Sequence, residues 1–213
     1  MDESTTTVRL PDAAARRFGH VCGFFHSQEE VYRVLLPLTK EGFERGEKVF
    51  HIVGPERRPE RMRRLDEVGI SPAAARRPGQ VEVRAWDDAY LRGGRFDKEA
   101  MMTLLEETLR GAKADGFTQT RLWANMEWAL GEFPGVEDLV EYETRVNYLL
   151  HKNDDLVVCA YNLTKFGAGV MMDVLRTHPL VIIDGFLHEN PFFVQPDVFP
   201  RELRARDGST RQS

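Results

Sequence analysis

Cysteine is scarce in this sequence, which holds only Cys22 and Cys159. Both lie in apolar, strand-like runs. A single pair makes no disulfide framework, so they read as reduced core thiols of a cytoplasmic protein. No apolar run reaches bilayer length, which argues against a spanning helix. The N-terminal MDESTTTVRLPDAAARR is polar and lacks the apolar stretch of a secretory signal. Excess positive charge is missing too. A formal net charge of −5 argues against broad binding to nucleic acid or an anionic membrane. The usual enzyme signatures are absent: there is no G-x-S-x-G, no G-x-G-x-x-G after a strand and no G-x-x-x-x-G-K-[ST]. In Lys165-Phe166-Gly167-Ala168-Gly169 the lysine precedes the glycines, the reverse of a phosphate loop.

What is present is an alternation of strands and helices. A chain of 213 residues fits one domain. With 42% hydrophobic and 30% charged residues, it is a soluble globular composition rather than a disordered one. HVCGFF (20–25) reads as the first strand, and Ser27 with Glu30 makes an S-x-x-E capping box for the helix that follows. Pro37 is expected to kink or end that helix. KVFHIV (48–53), QVEVRAW (80–86), TRLWANM (120–126), LVVCAY (156–161) and LVIID (180–184) read as five further strands. Between them lie a short arginine-rich helix whose charges read as a solvated face and a long helix capped by Asp97. Two more helices are expected at about 136–151 and 168–177, with Leu139, Tyr142, Val146, Leu149 and Leu150 of the former facing inward. Tyr90 to Phe96 reads as a flexible loop. Strands joined by helices of this length imply right-handed crossovers and a three-layer α/β sandwich with a mainly parallel sheet. Residues 1–17 and 197–213 read as polar or charged tails around a single domain, 18–196.

In an open parallel sheet, ligands bind beyond the carboxyl ends of the strands. That rule selects Phe25, His26 and Ser27 after the first strand, Asn125, Glu127 and Trp128 after the fourth, and Tyr161 at the end of the fifth. Aromatic walls with a few directed polar groups suit a small-molecule pocket. Glu127 reads as a ligand anchor or structural carboxylate rather than a general base, so no catalytic residue is assigned. His20-x-Cys22 points two side chains to one face of a strand, and Cys159 and His178 are the obvious additions to that pair. Their spacing resembles no zinc finger or His-Glu-x-x-His helix, so no metal and no cofactor are expected.

The runs HVCGFFHSQEEVYRVLLPLTKEGFERGEKVFHIV, DDAYLRGGRFD, LWANMEWAL, LVEYETRVNYLL and VCAYNLTKFGAGVMMDVLRTHPLVIIDGFLHENPFF together resemble the MEDS domain, the methanogen/methylotroph DcmR-type sensory domain. The resemblance covers about residues 18–196. It implies a RecA/KaiC-like fold without a functional Walker A loop, in which the first strand lies beside the strand of Cys159. His26-Ser27 then takes the phosphate-loop position. It also implies a sensory role in transcription or signalling: binding an unknown small molecule and acting on a regulator or kinase protein, with homo-oligomers possible. No DNA-binding segment is read before residue 18 and no kinase module after 200, so a stand-alone sensor is expected. Two other functions are compatible with the residues. One is a divergent nucleotide-binding or hydrolytic enzyme using Glu127 with Arg95. The other is a ligand-free interaction module using the basic helix at 56–68 and the segment from Phe192 onward.

Overall fold

Ser27 starts the first helix as its spacing predicts. Its hydroxyl accepts the Glu30 amide at 3.2 Å, while the Glu30 carboxylate accepts the His26 amide at 2.7 Å. The computed structural model describes residues 19–151, 154–199 and 201–202; the expected N-terminal tail and most of the C-terminal one lie outside the described residues. In chain order the elements are β1 (His20–Phe25), α1 (Gln28–Arg45), β2 (Lys48–Val53), α2 (Arg58–Glu67), β3 (Val81–Ala85) and α3 (Lys98–Ala114). They continue with β4 (Thr120–Asn125), α4 (Leu139–Leu150), β5 (Leu156–Asn162), α5 (Ala168–Thr177), β6 (Leu180–Ile183) and β7 (Phe186–Glu189).

The strands form one sheet in the order β3-β2-β4-β5-β1-β6-β7, parallel except for the β6–β7 hairpin. β1 lies between β5 and β6, with Cys22 opposite Cys159 in register. Alternating side chains divide the core in two. Cys22, Phe24, Leu122, Cys159 and Tyr161 face α3, α4 and α5. Val21, Phe25, Val49, Trp123 and Val158 pack beneath α1 and α2. Two helices on one face and three on the other give the expected three layers.

Three expectations need correction. α1 does not end at Pro37 but continues through it to Arg45. An interior proline costs about 3 kcal/mol. Val34, Leu35, Leu36 and Leu38 are all buried around it, and burying such side chains contributes about 1.5–3 kcal/mol each, which outweighs that cost. The loop at 90–96 is not free either. Tyr90, Leu91 and Phe96 are core residues, and only Arg92 to Arg95 between them are exposed. Finally, a seventh strand follows LVIID through Asp184-Gly185, both with positive φ, which is the geometry of a tight hairpin turn. Beyond residue 196 the chain still packs: Phe199 is fully buried and Arg176 pairs with Glu202. No helix among the described residues is long and apolar enough to cross a membrane.

Candidate functional site

The strand ends bring together only some of the residues that the switch-point rule selects. Glu127 accepts a hydrogen bond from Lys165 Nζ at 2.7 Å and from Asn162 Nδ2 at 3.4 Å, with Arg57 at 3.9 Å. The Asn125 side chain accepts the Glu127 amide at 3.1 Å. This is a neutralised clasp across the ends of β4 and β5. His26 and Ser27 are exposed at the α1 cap, where the Glu30 carboxylate already occupies the His26 amide. Phe25 is buried on the opposite face of the sheet from Tyr161. Trp128 is buried and stacked on Tyr90 at 4.7 Å, a lid on the core. Phe25, Trp128 and Tyr161 therefore do not share one open wall.

A buried polar assembly lies elsewhere, under α4 near the amino end of β1. His20 from β1, Glu143 from α4, Cys159 from β5 and His178 from the residue pair before β6 are all buried, and their ligating atoms lie within 4.8 Å of one another. Glu143 Oε2 is 3.1 Å from His20 Nε2, 3.5 Å from His178 Nε2 and 3.5 Å from Cys159 Sγ. Cys159 Sγ is 3.6 Å from His20 Nε2. The two imidazole ring centres lie 3.9 Å apart with their planes tilted by 39°. Tyr161 donates its hydroxyl to Glu143 Oε1 at 2.6 Å, which holds the carboxylate and turns Oε2 toward the other three groups.

A second ring of bonds holds the two imidazoles in place. The Asn147 amide donates to the carbonyls of Glu143, Thr144 and Thr177, which leaves its oxygen to accept from His20 Nδ1 at 3.2 Å. His178 Nδ1 donates to the Val174 carbonyl at 2.9 Å. In both rings the outer nitrogen donates and Nε2 is turned inward. His178 Nε2 has no hydrogen-bond partner. Burial, reinforced by His20, lowers the His178 pKa to about 3, so this ring is neutral. Burial alone pushes the Glu143 carboxyl upward, but its imidazole neighbours and the hydrogen bonds from His20 and Tyr161 hold it below the ordinary range, so it stays ionised. Burial, and then Glu143, push the Cys159 thiol well up.

The edge of this assembly meets a cavity of about 430 Å³ lined by His20, Asn147, Tyr148, Phe193, Gln195 and Pro196 among others. Its walls come from β1, α4 and the segment after β7, and Tyr148 is tied to Asp197 across it.

The sequence named His20, Cys159 and His178 but not Glu143. The signal was there: Leu139, Glu143, Val146 and Leu150 follow one helical stripe, and a carboxylate in a buried stripe needs buried partners.

A family model described as the methanogen/methylotroph, DcmR sensory domain (MEDS) matches residues 19–179. The transcriptional repressor DcmR of Methylorubrum extorquens is 26% identical over 160 residues, which are 75% of this chain and 57% of the repressor. The chain thus spans just over half the length of that relative. The crystal structure of the flagellar accessory protein FlaH from Methanocaldococcus jannaschii superposes with a TM-score of 0.51 at 12% identity, over 86% of this chain and 84% of FlaH. That likeness is one of fold, and with the strand order it makes the architecture RecA-like.

Proposed function

Because the chain belongs to the MEDS family of sensory domains, we propose that it is a non-catalytic sensor that binds a small molecule and passes its bound state to a transcriptional regulator or other signalling protein. The observation that carries this reading is the 430 Å³ cavity reaching His20. Cavities of roughly 300–1,000 Å³ suit small ligands. Tyr148, Phe193 and Pro196 offer apolar surface, and Asn147 and Gln195 offer a few polar contacts. The matching ligand is a small, largely apolar molecule with one or two hydrogen-bonding groups.

This reading moves the ligand from the strand carboxyl ends to the amino end of β1. At the carboxyl ends the Glu127 charge is already matched by Lys165 and Arg57. At the amino end a ligand would touch His20 and Asn147, which join β1 to α4. A ligand there has a direct route to shift α4 against the sheet, and that shift is the output. The kinship with a transcriptional repressor supports transcription as the process served.

The test is a Gln195→Trp variant, whose indole fills the cavity from its exposed rim. Its thermal stability stays near that of the parent, while the metabolite-dependent transcriptional response of the producing cell, read by RNA sequencing, is lost. An unchanged response in that variant would sink the assignment.

A further inference from the structure

We propose that His20, Glu143, Cys159 and His178 form a closed binding site for one divalent, thiolate-tolerant metal ion of the zinc type. The inference does not depend on a small molecule occupying the neighbouring cavity.

Four arguments converge. The first is the donor set. Two neutral imidazoles, a carboxylate and a thiol are the ligand types zinc takes, and four protein ligands make a structural rather than an open catalytic site. The second is distance. Zinc bonds of about 2.0–2.1 Å to N or O and about 2.3 Å to S place tetrahedral ligand atoms about 3.4–3.6 Å apart. Four of the six separations here are 3.1, 3.5, 3.5 and 3.6 Å, and all six lie within 4.8 Å.

The third argument is orientation. Each imidazole has its outer nitrogen engaged by an acceptor, Asn147 Oδ1 or the Val174 carbonyl, so each Nε2 is turned toward the same carboxylate oxygen. A neutral ring held in this way points a lone pair at that anion, a repulsion that a cation between them removes. A proton on His20 would satisfy the 3.1 Å contact alone and leave His178 Nε2 buried without a partner. One metal ion satisfies all four atoms. The outer bonds are of the type that orients metal-bound histidines. The fourth argument is charge. Glu143 as carboxylate and Cys159 as thiolate together cancel a dipositive ion, so binding releases the thiol proton to solvent and leaves the core neutral.

The ion would join β1, β5 and the start of β6 to α4. That is a staple between the sheet and one helix layer, made by residues far apart in sequence. This separation is why no short zinc-finger spacing announces it.

The test uses the full-length chain. It is loaded with Zn²⁺, passed through gel filtration and measured by inductively coupled plasma mass spectrometry, with affinity read by competition against a chromophoric chelator. The expected result is about one zinc per chain. Co²⁺ in its place gives the intense visible bands of a tetrahedral centre and a thiolate-to-cobalt charge-transfer band. That band is lost in Cys159→Ser and kept in Cys22→Ser. Asn147→Ala, which frees the His20 ring, weakens zinc binding by about 10–100-fold. A folded wild-type chain that keeps no zinc and shows only octahedral cobalt overturns the proposal. So does binding that is equally tight in Cys159→Ser and His178→Ala. The first two measurements are made on the unaltered chain, so they decide the matter even if a variant fails to fold.

Discussion

Arg61 lies in the core with its guanidinium 3.4 Å from the centre of the Trp123 ring, and it donates to His51 Nδ1 at 3.1 Å. Burial lowers its pKa to about 10, still charged at neutral pH. An exposed salt bridge such as Arg63–Glu67 is worth at most about 1 kcal/mol, whereas a desolvated cation on an aromatic face contributes about 2 kcal/mol and the aliphatic stem packs besides. Arg61→Ala is therefore expected to cost about 2–5 kcal/mol in urea unfolding. Arg61→Met, which keeps the volume without the charge, is expected to cost much less. Equal losses in the two variants would show that charge, not packing, dominates. Its neighbour His51 sets a pH dependence. Burial, then Arg61, hold the His51 pKa well below its usual value. The unfolded ring titrates near about 6.5, so as pH falls below that value the unfolded state takes up the proton first and the fold loses stability. The difference in unfolding free energy between wild type and His51→Leu should narrow or reverse from pH 7.5 to pH 5.5 (about one unit on either side of that pKa). A pH-independent difference would refute the assignment. The sequence showed the basic helix as a solvated face, which holds for Arg63 and Arg64. Arg61 sits one turn before Leu65 on the buried stripe, as Glu143 sits among Leu139, Val146 and Leu150. In both helices the charged residue in the apolar stripe was the legible sign of a buried polar cluster. Its partners come from distant strands, and no local pattern names them.

At the scale of elements, helix starts were the most legible features, because a cap needs only residues close in sequence. Ser27 and Asp97 accept the amides of their own first turns, Asp97 from Glu99 and Ala100 at 3.0 and 3.1 Å. The β6–β7 hairpin is equally local, an Asp-Gly pair between apolar residues. The behaviour of Pro37 and of the 90–96 loop was not legible, since both depend on what packs against them from elsewhere. Glycines separate the two kinds of constraint. Gly111 is an exposed interior position of α3 with open space where a Cβ would stand. Gly111→Ala is expected to stabilise the protein by about 0.5–1 kcal/mol. Gly135 has φ +91°, and a Cβ there would lie 2.0 Å from the Phe96 carbonyl oxygen. The Phe96 amide is also bonded to the Pro134 carbonyl, so the turn and the buried loop are locked together. Gly135→Ala is expected to destabilise by more than about 1 kcal/mol. Thermal melts of the two variants should move in opposite directions, and parallel shifts would contradict this account of the loop.

At the scale of the whole molecule, the sheet keeps a RecA-like order while its polar apparatus lies away from the place where that order usually serves a nucleotide. Fold class was legible because strand and helix periodicities, taken in sequence, leave few sheet arrangements open. The candidate site was less so, because the rule that favours strand carboxyl ends describes ligands held by loops and helix amides. Here the helix amide nearest β1, that of His26, is taken by Glu30, and Glu29 adds a second carboxylate to the same turn. A triphosphate would have to displace one anion and sit beside another, with no glycine loop to wrap it. Magnesium-ATP at millimolar concentration is therefore expected to leave the melting temperature unchanged. A ligand at 100 times its dissociation constant would add about 2.7 kcal/mol to the folded state, an effect that thermal melts detect readily. An upward shift with ATP that disappears on altering Glu127 would instead favour a divergent nucleotide-dependent enzyme acting at the strand ends. No shift with ATP, together with a loss of response in Gln195→Trp, would place sensing at the opposite end of the sheet, where His20 joins the cavity to α4.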